Sequence, residues 1–376
     1  MCMKIAIFTD TYEPQINGVV TSINDYNKQL RKHGHEVHIF CPKAHGLKKS
    51  KFIHPVKSME LKQYPSYRIG FPSRVVIRGM RKFKPDLVHI HSPGSLGLMG
   101  LTIAKTLKIP SVMTYHTLFT EYAGYLPGAK HRPVRKLGEK TIKKYVKHFY
   151  NRADLIIAPG KDTSRFLKKL VRKPVIILPT GIPLPKKILA KKQNKIPIVL
   201  QVGRLCKERS VDVVIKAFAL LLKKHPAKLV ITSSGPQAEE LKQLTSDLGI
   251  QKNVKFTGFV SERQKNALYK KADVFVSASS TDTQGLVPIE AMSFGTPVVV
   301  THASGFRDFI THNKNGMMFP KGNEKKLCEQ LLKVIKNKSL RIKLSKQGII
   351  TSQKYDIEKL GNKLEAIYYS IIYRLI

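Results

Sequence analysis

One stretch in the second half of the chain, residues 274–298, restricts the possible folds more than any other. Residues 274–276 are apolar, a polar loop follows, and Gly285 to Pro288 has the composition of a helix start. A short apolar run of this kind is typical of a strand buried on both faces of a parallel sheet. Pro288 suits the first turn of a helix, where its missing N–H costs nothing. The stretch therefore predicts a strand, loop and helix of an α/β protein.

The predicted helix start has the chemistry of an anion site. We expect the N–H groups of Gly285, Leu286 and Val287 to point out of the helix end, where the positive dipole favours phosphate. Glu290 lies one turn inside, and Asp282 precedes it by eight positions. Carboxylates repel phosphates, so these two acids are better placed for the hydroxyls of a ribose and a sugar. The stretch thus predicts a nucleotide-sugar site, and the alternative is an ordinary α/β unit with solvated acids.

The order of residues in this stretch resembles a family signature. An acid, seven residues, Glu-Ala-Met and then Gly-Thr-Pro-Val-Val-Val resemble the retaining glycosyltransferases of family 4. That family usually has Glu at the first acidic position, where this chain has Asp282. Residues 281–285 look most like the branch that glycosylates diacylglycerol lipids. The resemblance implies an α/β fold of two facing Rossmann-like domains (GT-B), with parallel sheets flanked by helices, and no metal for catalysis.

The length of 376 residues predicts two domains, each with its own core. Strands alternating with helices favour doubly wound parallel sheets. Residues 183–197 are rich in Pro and Lys, which predicts a linker between the two domains. We predict an acceptor- and membrane-facing domain over 1–182 and a nucleotide-sugar domain over 198–355. In the resembled fold the terminal helix, residues 356–376, crosses back to the first domain.

Two positions in the first half are candidate donor contacts. The segment after the first strand contains Asn17, Gly18 and Val19, and the resemblance implies that it faces the donor phosphates and sugar; a turn glycine is the alternative. His91 and His116 each follow a predicted strand, at the sheet edge where ligands bind. For His91 we favour a structural role. For His116 the resemblance implies contact with a donor hydroxyl.

The second half begins with a strand that ends in Gly203 and Arg204, with Arg209 five residues later. Guanidinium groups neutralise a diphosphate through charge-assisted bonds. The family pattern, Gly-Arg-Leu-x-x-Glu-Lys, has Lys where this chain has Arg209, which keeps the charge and changes the geometry. The alternative is two surface cations in a chain rich in them.

Two further loops are predicted to border the nucleotide. Gly235 follows a strand and would let the backbone approach the ligand, with a plain turn as the alternative. The resemblance implies that Phe259 and Val260 touch the uracil base, and core packing is the competing account for Phe259.

The chain has 67 Lys and Arg against 25 Asp and Glu, a net charge of +42. Such a field favours a polyanion, either nucleic acid or an acidic membrane surface. Because no nucleic-acid-binding module is recognised, we assign no specific nucleic acid. Lysine-rich coding from an AT-rich genome is the alternative explanation for part of the excess. Residues 130–152 read as a basic amphipathic segment. Its apolar stripe either packs into the domain or lies on anionic lipid, and both interpretations stay open.

No apolar run reaches the roughly 18 residues expected of a membrane-spanning helix. The apolar start of the chain does not resemble a signal peptide, and four scattered cysteines suggest reduced thiols. We therefore expect a bacterial cytoplasmic protein associated peripherally with the inner face of the cell membrane.

The resemblance implies a retaining hexosyltransferase with UDP-glucose as donor substrate and 1,2-diacylglycerol as acceptor. Arg204, Arg209 and the helix start would stabilise the departing UDP, Glu290 would hold the ribose, and Asp282 and His116 would orient the sugar. With no enzymic nucleophile evident, the family implies front-face transfer. The alternatives are a family-4 enzyme acting on a phospholipid, a lipopolysaccharide core or a soluble sugar, and a non-catalytic polyanion- or membrane-binding protein on the same fold.

Overall fold

The computed structural model describes residues 2–61, 64–71, 74–116, 132–188 and 194–374. The chain divides into two compact units, of which the first is Met1–Gly181 together with Ile357–Ile376 and the second is Ile182–Asp356. Of the predicted linker, residues 189–193 lie outside the described residues, as do residues 130–131 of the basic segment and residues 375–376 of the terminal helix.

Strands and helices alternate along most of the described chain. The strands are β1 (Lys4–Phe8), β2 (Glu36–Pro42), β3 (Ile53–Val56), β4 (Ser58–Leu61), β5 (Tyr64–Gly70), β6 (Leu87–Ile90), β7 (Ser111–Thr114), β8 (Leu155–Ala158), β9 (Val175–Ile177), β10 (Ile198–Gln201), β11 (Lys228–Ile231), β12 (Val254–Phe256), β13 (Val274–Ser277), β14 (Val298–Thr301) and β15 (Met317–Phe319). The helices are α1 (Gly18–Lys32), α2 (Arg74–Phe83), α3 (Ser95–Thr106), α4 (Arg132–Tyr150), α5 (Lys161–Leu170), α6 (Val211–Leu222), α7 (Ala238–Asp247), α8 (Glu262–Lys271), α9 (Leu286–Ser293), α10 (Ser304–Arg307), α11 (Glu324–Lys336), α12 (Lys338–Ser352) and α13 (Ile357–Ile372).

The described residues of the first unit contain a seven-stranded sheet in the order β3-β2-β1-β6-β7-β8-β9. All of its strand pairs are parallel, with Ile5 opposite Val37 of β2 and Leu87 of β6. From β1 the chain runs to β2 and β3 on one side, and from β6 to β9 on the other. Such a reversal of strand order opens a crevice at the carboxyl ends of the two central strands, β1 and β6, where ligands of α/β proteins bind.

The described part of the second unit repeats this plan with six parallel strands in the order β12-β11-β10-β13-β14-β15. Here the order reverses between β10 and β13, which pair through Val199 and Val274. Strands β13 and β14 are almost entirely buried because helices cover both faces of the sheet. The α/β fold with parallel sheets flanked by helices, predicted from the sequence, is therefore confirmed.

The last helix, α13, packs in the first unit. Its buried residues Leu360, Leu364 and Tyr368 join an apolar cluster with Ile5 of β1 and Ile23 of α1. Gly361 permits this close packing, since a Cβ there would lie 3.1 Å from Cβ of Gln29 on α1. The predicted return of the terminal helix to the first unit is thus observed.

One region holds elements that the sequence analysis did not assign. Residues 53–83 contain β3, the antiparallel hairpin β4–β5 and α2. Val76, Met80 and Phe83 of α2 are buried at helical spacing, so its apolar periodicity was present in the sequence. Within the described ranges, no helix is both long enough and apolar enough to cross a membrane.

Candidate functional site

The reversal of strand order in the second unit brings two predicted loops together. Residues 202–210 follow β10, and residues 278–285 follow β13. Because β10 and β13 are paired and parallel, their carboxyl ends lie side by side. Arg204 and Arg209 belong to the first loop and Asp282 to the second, so all three candidates lie in loops at the same edge of the sheet.

Helix α9 begins at this edge without a side-chain cap. Its N-cap residue, Gly285, adopts a left-handed conformation with φ of 78°, and a Cβ there would lie 2.3 Å from the ring of Phe306. Glycine has no side chain that could accept from the N–H groups of Leu286 and Val287. Ser261 caps α8 and Asn323 caps α11, whereas the N-cap residues of α5, α6 and α7, like Gly285, make no side-chain cap bond. The start of α9 therefore presents amide donors and a positive dipole end, the combination that binds phosphate.

Glu290 lies one turn inside α9 and is held by two residues of α8. The hydroxyl of Tyr269 donates to Oε2 of Glu290 at 2.7 Å, and Nζ of Lys265 lies 3.1 Å from Oε2 and 3.2 Å from Oε1. Burial alone would lower the pKa of Lys265, but the carboxylates of Glu290 and Glu262 raise it above its ordinary value. The carboxylate of Glu290 is thus fixed in direction and charge-paired.

Lys265 and Tyr269 were not among the residues predicted from the sequence. They are four residues apart, so they lie on the same face of α8. This spacing was visible in the sequence, but nothing local linked it to Glu290, which lies 21 residues beyond Tyr269.

Arg209 and Asp282 form an ion pair at the same edge. Nη1 of Arg209 lies 2.8 Å from Oδ1 and 2.6 Å from Oδ2 of Asp282. Both side chains are largely shielded, with exposed fractions of 33% and 16%. From the sequence, Arg209 is predicted to contact the diphosphate and Asp282 to contact the sugar. The structure adds a direct contact between them.

Gly203 and Arg204 complete the loop after β10. Gly203 has a φ of 139°, and a Cβ there would lie 4.0 Å from Nε of Arg209, so it lies beside that guanidinium. Arg204 is exposed, and its carbonyl accepts from the N–H of Cys206 at 3.1 Å.

The loops after β11 and β12 contain the remaining candidates of this unit. A Cβ on Gly235 would lie 2.3 Å from the carbonyl oxygen of Leu205, so glycine is needed here for two loop backbones to pass. Phe259 is 60% exposed, which excludes the alternative that it packs in the core. Val260 beside it is half-buried. Contact of Gly235, Phe259 and Val260 with a nucleotide stays a prediction.

The Asn17 segment in the first unit is the start of α1. Oδ1 of Asn17 accepts from the N–H groups of Val19 and Val20, each at 3.0 Å, and its Nδ2 donates to Oγ1 of Thr11 at 2.9 Å. Asn17 is therefore a helix cap, and the N–H of Val19 is already engaged. Gly18 is the first residue of α1. The predicted donor contacts of Asn17, Gly18 and Val19 stay predictions, with less amide capacity than the start of α9 offers.

His116 belongs to a row of three histidines in the first unit. Nε2 of His116 lies 2.9 Å from Nδ1 of His91, and the ring centroids of His91 and His89 are 4.0 Å apart. The ring nitrogens of His89 contact the hydroxyls of Tyr368 at 2.6 Å and Thr114 at 2.7 Å. Burial lowers the pKa of His116 to about 4 and that of His89 to about 3. The row is therefore neutral at pH 7, and His91 has the structural position we favoured.

Asp10 occupies the crevice between β1 and β6, and the sequence analysis missed its role. Its carboxylate accepts from the N–H groups of Leu96 at 2.8 Å and Gly94 at 3.0 Å, and from the hydroxyl of Ser92 at 2.8 Å. Burial raises the pKa of Asp10, and these hydrogen bonds act against that rise. The start of α3 is thus filled by a carboxylate of the chain itself.

Two family models together match residues 16–351. The family described as glycosyltransferase family 4 matches residues 16–186, and glycosyl transferases group 1 matches residues 186–351. An α-monoglucosyldiacylglycerol synthase of Acholeplasma laidlawii is 30% identical, with 98% of each chain covered. One of the same name from Streptococcus pneumoniae is 33% identical over 84% of this chain and 75% of the relative.

The fold is also that of solved structures. The crystal structure of Anabaena HepE in complex with UDP-glucose superposes with a TM-score of 0.75 at 17% sequence identity, covering 98% of this chain and 100% of that chain. These matches show that the chain belongs to the family 4 glycosyltransferases and is a sugar-transferring enzyme with the GT-B fold.

Proposed function

We propose that this enzyme transfers glucose from UDP-glucose to 1,2-diacylglycerol with retention of the anomeric configuration. The observation that carries the proposal is the start of α9, where a glycine cap leaves amide donors for a diphosphate and Glu290 is fixed one turn inside. The names of the two relatives, both α-monoglucosyldiacylglycerol synthases, support the choice of sugar and acceptor.

The roles of the donor-site residues follow from charge. The amides of Leu286 and Val287 and the guanidinium groups of Arg204 and Arg209 stabilise the diphosphate. Lys265 and Tyr269 hold the carboxylate of Glu290 in one orientation. In that orientation it accepts hydrogen bonds from the ribose hydroxyls. Phe259 is exposed and apolar, so its ring suits one face of the base. The solved complex of Anabaena HepE with UDP-glucose supports a uridine donor.

In the proposed reaction the bond between the anomeric carbon and the β-phosphate oxygen breaks, and UDP leaves with the electron pair. Negative charge grows on the diphosphate, and the fixed dipoles and cations around it lower the barrier. The acceptor hydroxyl attacks the anomeric carbon from the face that UDP leaves. Its proton passes to the departing phosphate oxygen, so charge and atoms balance without an enzymic nucleophile. For His116 we propose contact with a hydroxyl of the donor sugar.

The first unit has features that suit a lipid acceptor at an anionic surface. Lys136, Lys140, Lys143, Lys144 and Lys147 of α4 are exposed. On the same helix Leu137 is 66% and Tyr145 is 48% exposed, whereas Val146 and Phe149 are buried. Part of the apolar stripe therefore packs inward while two apolar side chains remain outside among lysines. Each lysine near an anionic bilayer contributes about 1 kcal/mol, so we propose peripheral association with the inner face of the cell membrane.

The test is an incubation of the purified protein with UDP-glucose, UDP-galactose or GDP-mannose and dioleoylglycerol in anionic vesicles, read by mass spectrometry. We expect a hexosyl-diacylglycerol only with UDP-glucose, and proton NMR of the product should give the small anomeric coupling of an α-glucoside. Transfer from another donor would show that UDP-glucose is the wrong donor, and a β-glucoside would show that the configuration is not retained. Glucosylation of a phospholipid or a soluble sugar instead would show that diacylglycerol is the wrong acceptor.

A further inference from the structure

Arg209 and Asp282 form an ion pair that is largely shielded from solvent, with exposed side-chain fractions of 33% and 16%. The two positions lie 73 residues apart in the sequence. In the structure they contact each other, with Nη1 of Arg209 at 2.6 Å from Oδ2 of Asp282.

The length of this pair can be tested with matched substitutions. An arginine side chain reaches one atom further than lysine, and aspartate is one methylene shorter than glutamate. An Arg–Asp pair therefore spans the same number of bonds as a Lys–Glu pair. Arg209→Lys would shorten the basic side chain by one atom, and Asp282→Glu would lengthen the acidic side chain by one methylene.

Length matters here because the backbone is fixed at both ends of the pair. A Cβ on Gly305 would lie 2.2 Å from the carbonyl oxygen of Asp282 and 2.9 Å from the amide nitrogen of Gln284, so the loop that carries Asp282 is packed directly on α10. Arg209 ends a 3₁₀ turn, and the next residue, Ser210, is held in a left-handed conformation with φ of 47°. Neither backbone can shift cheaply to absorb a change in side-chain length.

We infer that Arg209 and Asp282 act as one coupled pair, in which Asp282 is a positioning residue that aims the Arg209 guanidinium at the diphosphate of the nucleotide. The inference rests on the proposed donor site and deepens it. A planar guanidinium can donate to a carboxylate and to a phosphate at the same time. Asp282 lowers the net charge beside the leaving group, and in return it fixes the direction of the donor before the nucleotide binds.

A double-mutant cycle tests the coupling. The four proteins are wild type, Arg209→Lys, Asp282→Glu and Arg209→Lys/Asp282→Glu. We expect each single exchange to lower kcat/KM for glucose transfer about tenfold, because each breaks the match of lengths, and the double variant to return to within about threefold of wild type. Arg204→Lys, alone and with Asp282→Glu, is the control cycle. Arg204 is exposed and, within the described residues, forms no hydrogen bond with Asp282, so the two losses should multiply to about a hundredfold.

Two further measurements separate this inference from the proposed function and from a merely structural ion pair. Calorimetric affinities for UDP, GDP and ADP are measured for all four proteins, together with their thermal midpoints. The affinity for one diphosphate should fall in each single variant and recover in the double variant. If this happens although wild type transfers no glucose, the proposed function is wrong and the coupled pair stands. If the losses multiply in the double variant, or if the rescue occurs in the thermal midpoint without any in diphosphate affinity, the coupled pair is overturned. If none of the diphosphates binds wild type, both proposals are overturned.

Discussion

Tyr269 donates its hydroxyl to Oε2 of Glu290 at 2.7 Å from one helix to the next. Tyr269 is fully buried, and burial raises its pKa well above the ordinary value, with the Glu290 carboxylate adding to the rise. The phenol therefore stays protonated and always donates to Glu290. A carboxylate held in this way has its remaining acceptor positions fixed in direction, which is what recognition of two neighbouring ribose hydroxyls requires.

Tyr269→Phe removes this hydrogen bond and keeps the ring in its apolar setting. We expect the affinity for UDP to fall about tenfold, the cost of one hydrogen bond to a charged group. The affinity for 2′-deoxy-UDP should fall less, because that ligand has one ribose hydroxyl fewer to offer to Glu290. Calorimetry with both ligands is the measurement, and Tyr373→Phe, an exposed tyrosine beyond α13, is the control. Equal losses for both ligands would contradict the assignment of Glu290 to the ribose.

Glu290→Gln tests the carboxylate itself. The amide keeps the size of the side chain but loses the charge, and one of its two acceptor oxygens becomes a donor. We expect kcat/KM for sugar transfer to fall about a hundredfold or more, since several charge-assisted bonds are lost. Glu239→Gln serves as the matched control because Glu239 is an exposed residue on α7 with a side-chain exposure of 86%. Unchanged transfer in Glu290→Gln would remove Glu290 from the site.

The buried histidine row predicts how stability depends on pH. The pKa of His89 is about 3 and that of His116 about 4 in the folded protein, against 6.5 without the fold. Below pH 6.5 and above the folded pKa values, the unfolded chain binds protons on these histidines but the folded chain does not. The free energy of unfolding therefore has its full value above pH 6.5 and falls as the pH drops through this window. Each histidine contributes up to about 1.4 kcal/mol per pH unit.

Thermal midpoints of wild type, His89→Gln and His302→Gln between pH 7.5 and 5 measure this effect. Glutamine keeps polar atoms near Tyr368 and Thr114 but does not titrate, so His89→Gln should show a shallower fall in the midpoint with acid. His302 is exposed in the second unit, and His302→Gln should follow wild type. A wild-type slope in His89→Gln would show that His89 is not the group responsible.

The exposed lysines of α4 predict a specific loss of membrane binding. Replacing Lys140, Lys143, Lys144 and Lys147 by Gln should weaken binding to vesicles that contain anionic lipid by about 1 kcal/mol per lysine at low salt. The control replaces Lys336, Lys338, Lys343 and Lys346, exposed residues of the second unit, by Gln, and so has the same net charge. Co-sedimentation at increasing salt compares the two. Equal losses would mean that total charge, and not α4, controls the binding.

Gly305 supports the loop that carries Asp282, and its substitution should disturb that loop from a distance. A Cβ at Gly305 would lie 2.2 Å from the carbonyl oxygen of Asp282, and backbone atoms cannot rotate away as a side chain can. We expect Gly305→Ala to lower the affinity for UDP severalfold and the thermal midpoint by a few degrees. Gly348→Ala is the control, since its Cβ would meet the flexible side chain of Met292 at 3.3 Å. Gly305→Ala with unaltered UDP affinity would argue that the loop does not contact the nucleotide.

The parts of the fold that the sequence predicted are those set by local patterns. The apolar run of β1 and the helical spacing of Ile23, Tyr26 and Leu30 in α1 correspond to buried strands and helix faces because neighbouring residues determine them. The hairpin β4–β5 escaped prediction. Met59 and Ile69 of that hairpin are 55% and 37% exposed, so its strands lack the buried apolar pattern of the central sheet.

The candidate site likewise has residues that could be predicted from the sequence and contacts that could not. The cap glycine and Glu290 of α9 follow from the order of residues in one short stretch. The contacts that hold the site do not, because Arg209 meets Asp282 across 73 residues and Asp10 meets Leu96 across 86. Only the strand order, which pairs β10 with β13 and β1 with β6, brings those residues into reach.

The position of α13 has a consequence for the birth of this protein on the ribosome. The hydroxyl of Tyr368 lies within hydrogen-bond distance of Nδ1 of His89, at 2.6 Å, and α13 covers apolar residues of β1 and α1. This helix is nevertheless translated after the whole of residues 182–356. The second unit is one uninterrupted segment and is therefore the first that can finish folding. The first unit leaves the ribosome earlier, but the apolar surface of β1 and α1 stays exposed until α13 has been translated and can pack on it.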